Sequence, residues 1–275
     1  MNLAWRFKVF ILAFFLALPL VSAQEWQIDL AAGDQSYQSE TEFNSLVLEF
    51  LEPVSPQLQV RVQLGGEYYD LGLDSEEDSK RFSEILLTGL EKQLRVISPV
   101  PVRLHLYNTY TGKKPLLKAD ASANTNQFKI ISRAEWGADE SWRYDYNAKA
   151  SNQSAELTAS EKSCADRIKK FPDEYTYARV ITEENGQVLL WPRQYSQKVQ
   201  KIVIHHTAES DSSQNIPGGD KIRSVYQYHA RTKGWGDIGY NFLVDQDGNV
   251  YEGRAGGDFV VGGHVYCSNV NTIGI

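Results

Sequence analysis

Two different strand patterns occupy the two ends of this chain, and together they constrain its fold more than any other feature. Leu58, Val60, Val62 and Leu64 alternate with Gln59, Arg61 and Gln63, and Val100, Val102, Leu104 and Leu106 repeat the alternation. A period of two marks strands with one buried and one polar face, the habit of antiparallel sheets. The run Lys201-Ile202-Val203-Ile204-His205-His206-Thr207 is instead continuously β-branched before its histidines, which predicts a strand buried on both faces. Behind it, Ile222, Val225, Tyr226 and His229 stand at helical spacing between Asp220 and Lys233. The expectation is a small β-rich, sandwich-like domain followed by an α/β domain.

Composition narrows the function. With 275 residues, 42% of them hydrophobic, the chain has material for one or two cores. Its 28 basic residues face 35 acidic ones, a net charge of −7, so no global positive field exists to hold nucleic acid or anionic lipid. Arg6 and Lys8 precede the apolar run Val9 to Val21, and Val21-Ser22-Ala23 has the small-residue pattern of a cleavage site. That reads as a signal peptide over 1–23, with the mature chain starting at Gln24 and exported to the cell envelope or the medium. The run is too short for the roughly 20 residues of a spanning helix. Cys164 and Cys267 are the only cysteines; a single bridge between them and two separate thiols both remain open.

Punctuation along the chain gives the domain limits. Residues 24–110 form the β-rich part, with Gly65-Gly66 as the turn of a hairpin. Its His105 falls on a polar face and reads as structural. The Lys, Ala, Ser, Asn and Thr mixture that follows has no apolar periodicity, so 111–128 is a linker and 129–275 the second domain. Asn147 to Ser163 reads as a polar surface insertion, Asp247-Gly248 as a hairpin turn, and Thr272-Ile273-Gly274-Ile275 as a further strand. Four of the five histidines, His205, His206, His229 and His264, lie in the last 71 residues. Imidazole is the commonest neutral metal ligand, but buried histidines bonded to backbone are also common, and no HExxH spacing is present. Adjacent strand residues face opposite ways, so His205 and His206 cannot easily share one ion.

The string as a whole is more specific than its spacing. Ile202-Val203-Ile204-His205-His206-Thr207-Ala208, Tyr228-His229, Gly234-Trp235-Gly236-Asp237-Ile238-Gly239-Tyr240-Asn241-Phe242-Leu243-Val244, Val250-Tyr251-Glu252-Gly253-Arg254 and Gly263-His264 occur in that order. They closely resemble the peptidoglycan recognition protein family, which shares its fold with zinc-dependent N-acetylmuramoyl-L-alanine amidases. The resemblance runs from about Lys129 to Ile275 and includes Ile131-Ser132-Arg133-Ala134-Glu135-Trp136-Gly137-Ala138, similar to bacterial members. It implies an α/β domain with a mixed central sheet flanked by helices. It also implies His205 as a Zn2+ ligand, Tyr240 as the catalytic tyrosine, and Thr207, His229, His264 and Asn269 as residues lining the site for muramyl peptides of peptidoglycan. His206 lies near that site in relatives, as substrate contact or buried support. Trp235 reads as packing at the helix end, and Glu252 and Arg254 as a surface or structural ion pair.

The function so implied is zinc-dependent hydrolysis of the amide between the lactyl group of N-acetylmuramic acid and L-alanine. The alternative is a peptidoglycan-binding module without hydrolysis. Relatives take two more zinc ligands, a histidine and usually a cysteine, from a segment after the Ile-Gly-Ile strand, so the chain is expected to be truncated at its C-terminus. Cys267 occupies a position that relatives do not use for metal. The absence of cysteine between Glu209 and Gly219 resembles the bacterial branch. Ala255 to Val261 replaces the loop with which animal members distinguish the third stem residue, so a preference for lysine or diaminopimelate is not legible.

Overall fold

The computed structural model describes residues 24–74, 81–110, 129–147, 162–175, 179–207 and 216–275. The expected signal peptide, the linker at 111–128 and most of the polar stretch after Asn147 lie outside them.

Six strands build the N-terminal part: β1 (Gln24–Leu30), β2 (Gly33–Phe50), β3 (Val60–Leu64), β4 (Glu67–Leu71), β5 (Leu86–Ser98) and β6 (Val102–Asn108). They form one antiparallel sheet in the order β1-β6-β2-β5-β3-β4. The β-rich expectation is met, but in a single sheet; no second sheet faces it among the described residues. β2 pairs with β5 and with β6, and its register against β5 slips between Gln38 and Phe43 and again before Ser45, irregularities that bend a strand and increase its twist. The hairpin turns where expected, with Gly65 and Gly66 at φ 55° and 93°, the pair of positive angles that a tight two-residue turn requires.

Alternation then sorts the side chains. Leu46, Leu48, Val60, Val62, Val96, Leu104 and Leu106 share one face and one apolar cluster. On the opposite face, Val47, Ile85, Leu87 and Tyr107 join a second cluster made mostly of residues from the C-terminal part. His105 shares that face and is buried; its ring nitrogens lie 3.3 Å from a Glu25 carboxylate oxygen and 3.0 Å from one of Glu49. Both nitrogens are therefore engaged, in keeping with a structural residue.

The C-terminal part begins with β7 (Ile130–Ile131) and the one-turn helix α1 (Arg133–Trp136). Ser132 and Glu135 cap that helix reciprocally, and Gly137, at φ 83°, ends it. Helix α2 (Ala165–Lys170) and the hairpin β8 (Arg179–Thr182) and β9 (Val188–Gln194) follow. Then come β10 (Lys201–Val203), helix α3 (Gly218–Gln227), the hairpin β11 (Phe242–Val244) and β12 (Val250–Glu252), and β13 (Thr272–Gly274). β12 pairs antiparallel with β11 and parallel with β7, while β10 pairs parallel with β13. Asn241 stitches the two groups: its backbone N–H donates to the Gly274 carbonyl at 3.0 Å, and its side-chain oxygen accepts from the Gly274 N–H at 2.9 Å. The result is the expected mixed α/β arrangement, with Ile222, Val225 and Tyr226 of α3 packed on Ile131, Leu243 and Tyr251. No helix among the described residues is long and apolar enough to cross a membrane.

One expectation fails. The β-branched run is not buried on both faces: Ile202 is 63% and Ile204 83% exposed. No described element packs over them.

Cys164 and Cys267 are joined in a disulfide that closes a separation of 103 residues. It ties the start of α2 to the loop between His264 and β13. Cross-links over such long loops remove much denatured-state entropy. Replacing both cysteines by serine is expected to cost about 2–4 kcal/mol in urea unfolding of the oxidised protein, whereas a change below about 0.5 kcal/mol would show that the cross-link contributes little.

Candidate functional site

Four elements bring their chemistry to one place. β10 delivers His205, the turn after α3 delivers His229, the segment before β11 delivers Tyr240, and the loop before β13 delivers His264. The His205 ring centroid lies 5.7 Å from that of Tyr240 and 5.1 Å from that of His264. His229 stands 5.6 Å from Tyr240. Tyr240 thus has two imidazoles beside it and is itself buried.

Backbone bonds fix each member. The His205 N–H donates to the Ile275 carbonyl at 2.7 Å, and the Ile275 N–H to Val203 at 2.9 Å, so the parallel ladder continues past β10 and orients the His205 ring. Strand alternation leaves Thr207 on the same side, partly exposed, and turns His206 outward, where it is exposed. His206 is accordingly not a buried support. The Tyr240 carbonyl accepts from the Arg254 N–H at 2.8 Å, and the Gly239 carbonyl from the Gly263 N–H at 2.8 Å. His264 rests against the backbone of Gly274, where an added Cβ would collide with the imidazole. The glycine of the Ile-Gly-Ile strand is therefore a close-approach position.

Thr272 Oγ1 lies 2.8 Å from the Asn269 carbonyl and 3.2 Å from His264 Nε2. His264 Nδ1 in turn lies 2.9 Å from His205 Nε2, so one of these two nitrogens donates to the other. His229 Nδ1 accepts from the Gly239 N–H at 3.2 Å. Burial, then the His205 ring beside it, lowers the His264 pKa to about 4. Burial, then His206, lowers that of His205, and burial, reinforced by Lys233, holds His229 well below the ordinary range. All three are neutral at pH 7, as ligand or acceptor roles require.

Asn269 is partly exposed beside His264. Its side-chain oxygen accepts the N–H groups of both His264 and Val265 at 2.8 Å, so it braces the loop that carries His264. Trp235 lies 4.9 Å from the His229 ring and edge-on to Trp191 at 5.8 Å. Arg254 makes no ion pair among the described residues; its guanidinium lies over Trp191, 3.4 Å from the ring centroid, and burial lowers its pKa to about 10. Glu252 accepts the Arg133 N–H at 3.2 Å. Sequence reasoning did not single out Trp191, Thr272 or Gly274. Only the glycine could have been suspected, from its place between two isoleucines.

A catalytic zinc takes three protein ligands and leaves one position for water. The described residues contain no group of three histidine, cysteine or acidic side chains that could hold one ion, and the Cys267 sulfur is committed to its disulfide. The donors present therefore do not by themselves fit a catalytic zinc, although His205 offers one suitable nitrogen.

His229 gives a pH test. Its pKa is depressed in the folded state, so the unfolded chain binds the proton more readily as pH falls below about 6.5, and stability falls with it. In His229→Gln, the loss of stability between about pH 6.5 and 5, read as the shift in urea midpoint, is expected to be smaller than in the parent; an equal slope would mean that His229 is not buried in neutral form.

Residues 195–275 match the family model described as N-acetylmuramoyl-L-alanine amidase. Among curated proteins, peptidoglycan-recognition protein SC2 of Drosophila simulans is 47% identical over 73 residues, 26% of this chain and 39% of that protein. Peptidoglycan-recognition protein SC1a of Drosophila melanogaster is 39% identical over 93 residues, covering 34% and 49%, and peptidoglycan recognition protein 1 of Bos indicus is 45% identical over 58 residues, covering 21% and 30%. The chain thus spans less than half the length of each. A solved structure, that of Drosophila peptidoglycan recognition protein SD, overlaps 54% of this chain and 59% of its own at 18% identity, with a TM-score of only 0.32. These relatives are insect and mammalian, and they lend no support to a place in the bacterial branch. The last third of the chain carries the sequence signature of the N-acetylmuramoyl-L-alanine amidase family and is similar to peptidoglycan-recognition proteins.

Proposed function

We propose that this protein recognises the muramyl-peptide portion of peptidoglycan at the site formed by His205, Thr207, His229, Tyr240 and His264. The observation that carries the reading is the convergence of His205, Tyr240, His229 and His264 within one matched segment. These groups present neutral imidazoles and a phenol beside the indoles of Trp191 and Trp235. Hydrogen-bonding groups set among aromatic faces suit a ligand that combines a sugar, amides and carboxylates. Export, the expectation from residues 1–23, agrees with the Cys164–Cys267 disulfide, a bond that persists in oxidising compartments.

A second reading is favoured by the matched family's description and by the contact of His205 with Tyr240. It is zinc-dependent amidase hydrolysis of the bond between the lactyl group and L-alanine. A bound zinc would supply a water acidic enough to attack at neutral pH. Among the described residues no group of three donors stands ready for that ion, so this reading requires further donors. Independently of the ion, the Tyr240 hydroxyl is the group beside His205 able to donate a hydrogen bond to a substrate carbonyl, an effect often worth about 10²–10³ in rate.

Purified sacculi separate the two readings. Wild-type protein is expected to co-sediment with sacculi in the presence of chelator, and His264→Ala to lose at least about tenfold in affinity. Failure of the folded wild type to sediment would overturn the recognition reading. Peptides with a free N-terminal L-alanine, released only with zinc and lost in His205→Ala, would establish hydrolysis; Tyr240→Phe would then retain zinc but turn over more slowly. Zinc retention without released peptide would leave recognition alone.

A further inference from the structure

The β-rich part and the site meet at one carboxylate. Asp74 follows β4 and is fixed by its N–H, which donates to the Phe82 carbonyl at 2.9 Å. Its Oδ2 accepts the Tyr228 hydroxyl at 2.7 Å and lies 3.1 Å from Lys233 Nζ. Both ionic side chains are buried, Lys233 at 3% and Asp74 at 7% exposure. Asp74 therefore grips the chain immediately before and four residues after His229.

The segment it grips is not an ordinary helical turn. Over Tyr228–Thr232 the helix opens, and the Lys233 N–H reaches the Tyr228 carbonyl five residues back at 2.9 Å. The N–H groups of Trp235 and Gly236 reach six residues back, to His229 and Ala230, at 3.1 and 3.0 Å. Such widened turns are less favourable than α-helix and occur frequently at functional sites. Here the widening is held from outside. The Phe82 ring meets Tyr228 edge-on at 5.9 Å, and the Tyr107 hydroxyl bonds to Thr232. Lys233 Nζ, drawn in by Asp74, lies 4.5 Å from the centre of the Trp235 ring, which also meets the His229 ring at 4.9 Å.

We infer that Asp74 is a positioning residue for the site. Through Tyr228 and Lys233 it holds the widened turn that sets His229 against Tyr240, so the β-rich part determines the site's affinity without touching ligand. This inference rests on the muramyl-peptide reading only for its affinity arm. Its geometric arm stands on the position of His229.

The test uses the whole chain and the probe N-acetylmuramoyl-L-alanyl-D-isoglutamine. Tyr228→Phe removes one grip without leaving a charge unpaired. Asp74→Asn combined with Lys233→Met removes the ion pair as a unit, since removing one buried partner alone risks unfolding. Arg61→Ala, in an exposed pair with Asp70 on the far hairpin, is the control. In Tyr228→Phe and in the paired variant the His229 imidazole resonances are expected to shift, and the probe's dissociation constant to rise roughly three- to tenfold, the scale of one hydrogen bond. Arg61→Ala should change neither. Unmoved His229 resonances in a folded Tyr228→Phe would overturn the inference, as would an equal loss of affinity in Arg61→Ala. If the wild type does not bind the probe, the muramyl-peptide reading fails and the resonances alone decide the positioning role.

Discussion

One apolar cluster serves both halves of this molecule, and most of the site depends on it. Val47, Leu87 and Tyr107 of the N-terminal sheet are buried with Val225, Tyr226, Tyr228 and Ala230 of α3 and its widened turn, and these in turn with Tyr240, Leu243 and Tyr251. A fully buried large apolar side chain contributes about 1.5–3 kcal/mol, so a cluster of sixteen buried residues, all but Ala230 large, outweighs any single polar contact. Polar bonds then specify the register. Ser45 and Thr109 each place a hydroxyl 3.0 Å from that of Ser224, and Arg223 donates to the Thr109 carbonyl at 2.8 Å. Because these groups are buried, a slipped arrangement would leave them unsatisfied. The helix that carries His229 is thus clamped on one side by the N-terminal sheet and on the other by the mixed sheet.

The site illustrates how neutral imidazoles are kept neutral. Burial disfavours the charged form of all three, and their neighbours are other imidazoles or the Lys233 ammonium. His105 has other partners, a carboxylate oxygen at each ring nitrogen. Residue type is the same in both places, and the neighbours differ. One histidine ties two acidic groups together, whereas the others keep lone pairs and N–H groups for bonding among themselves and with a ligand.

Much of this was legible in the sequence. Alternation at Leu58 to Leu64 and the Gly65-Gly66 pair gave the β3–β4 hairpin, and Asp247-Gly248 gave the β11–β12 turn, because both signals are local. The residues His205, His229, Tyr240 and His264 were legible through the family resemblance, which supplies positions but not contacts. Three features were not. The exposure of Ile202 and Ile204 depends on what packs over them, which a β-branched run does not encode. The bracing of the His264 loop by Asn269 depends on a backbone turn whose N–H groups point inward. The grip of Asp74 on Tyr228 joins positions 154 residues apart, and nothing in Leu71-Gly72-Leu73-Asp74 distinguishes that aspartate from a surface one.

The central claim is that muramyl peptide binds where His205, Tyr240, His229 and His264 meet. Backbone amide resonances recorded during titration with N-acetylmuramoyl-L-alanyl-D-isoglutamine address it directly. Saturable shifts centred on Gly239, Tyr240, His264 and Val265, with the β3–β4 hairpin unchanged, are the predicted result. Saturable shifts confined to the N-terminal sheet, or none at millimolar probe, would contradict the account.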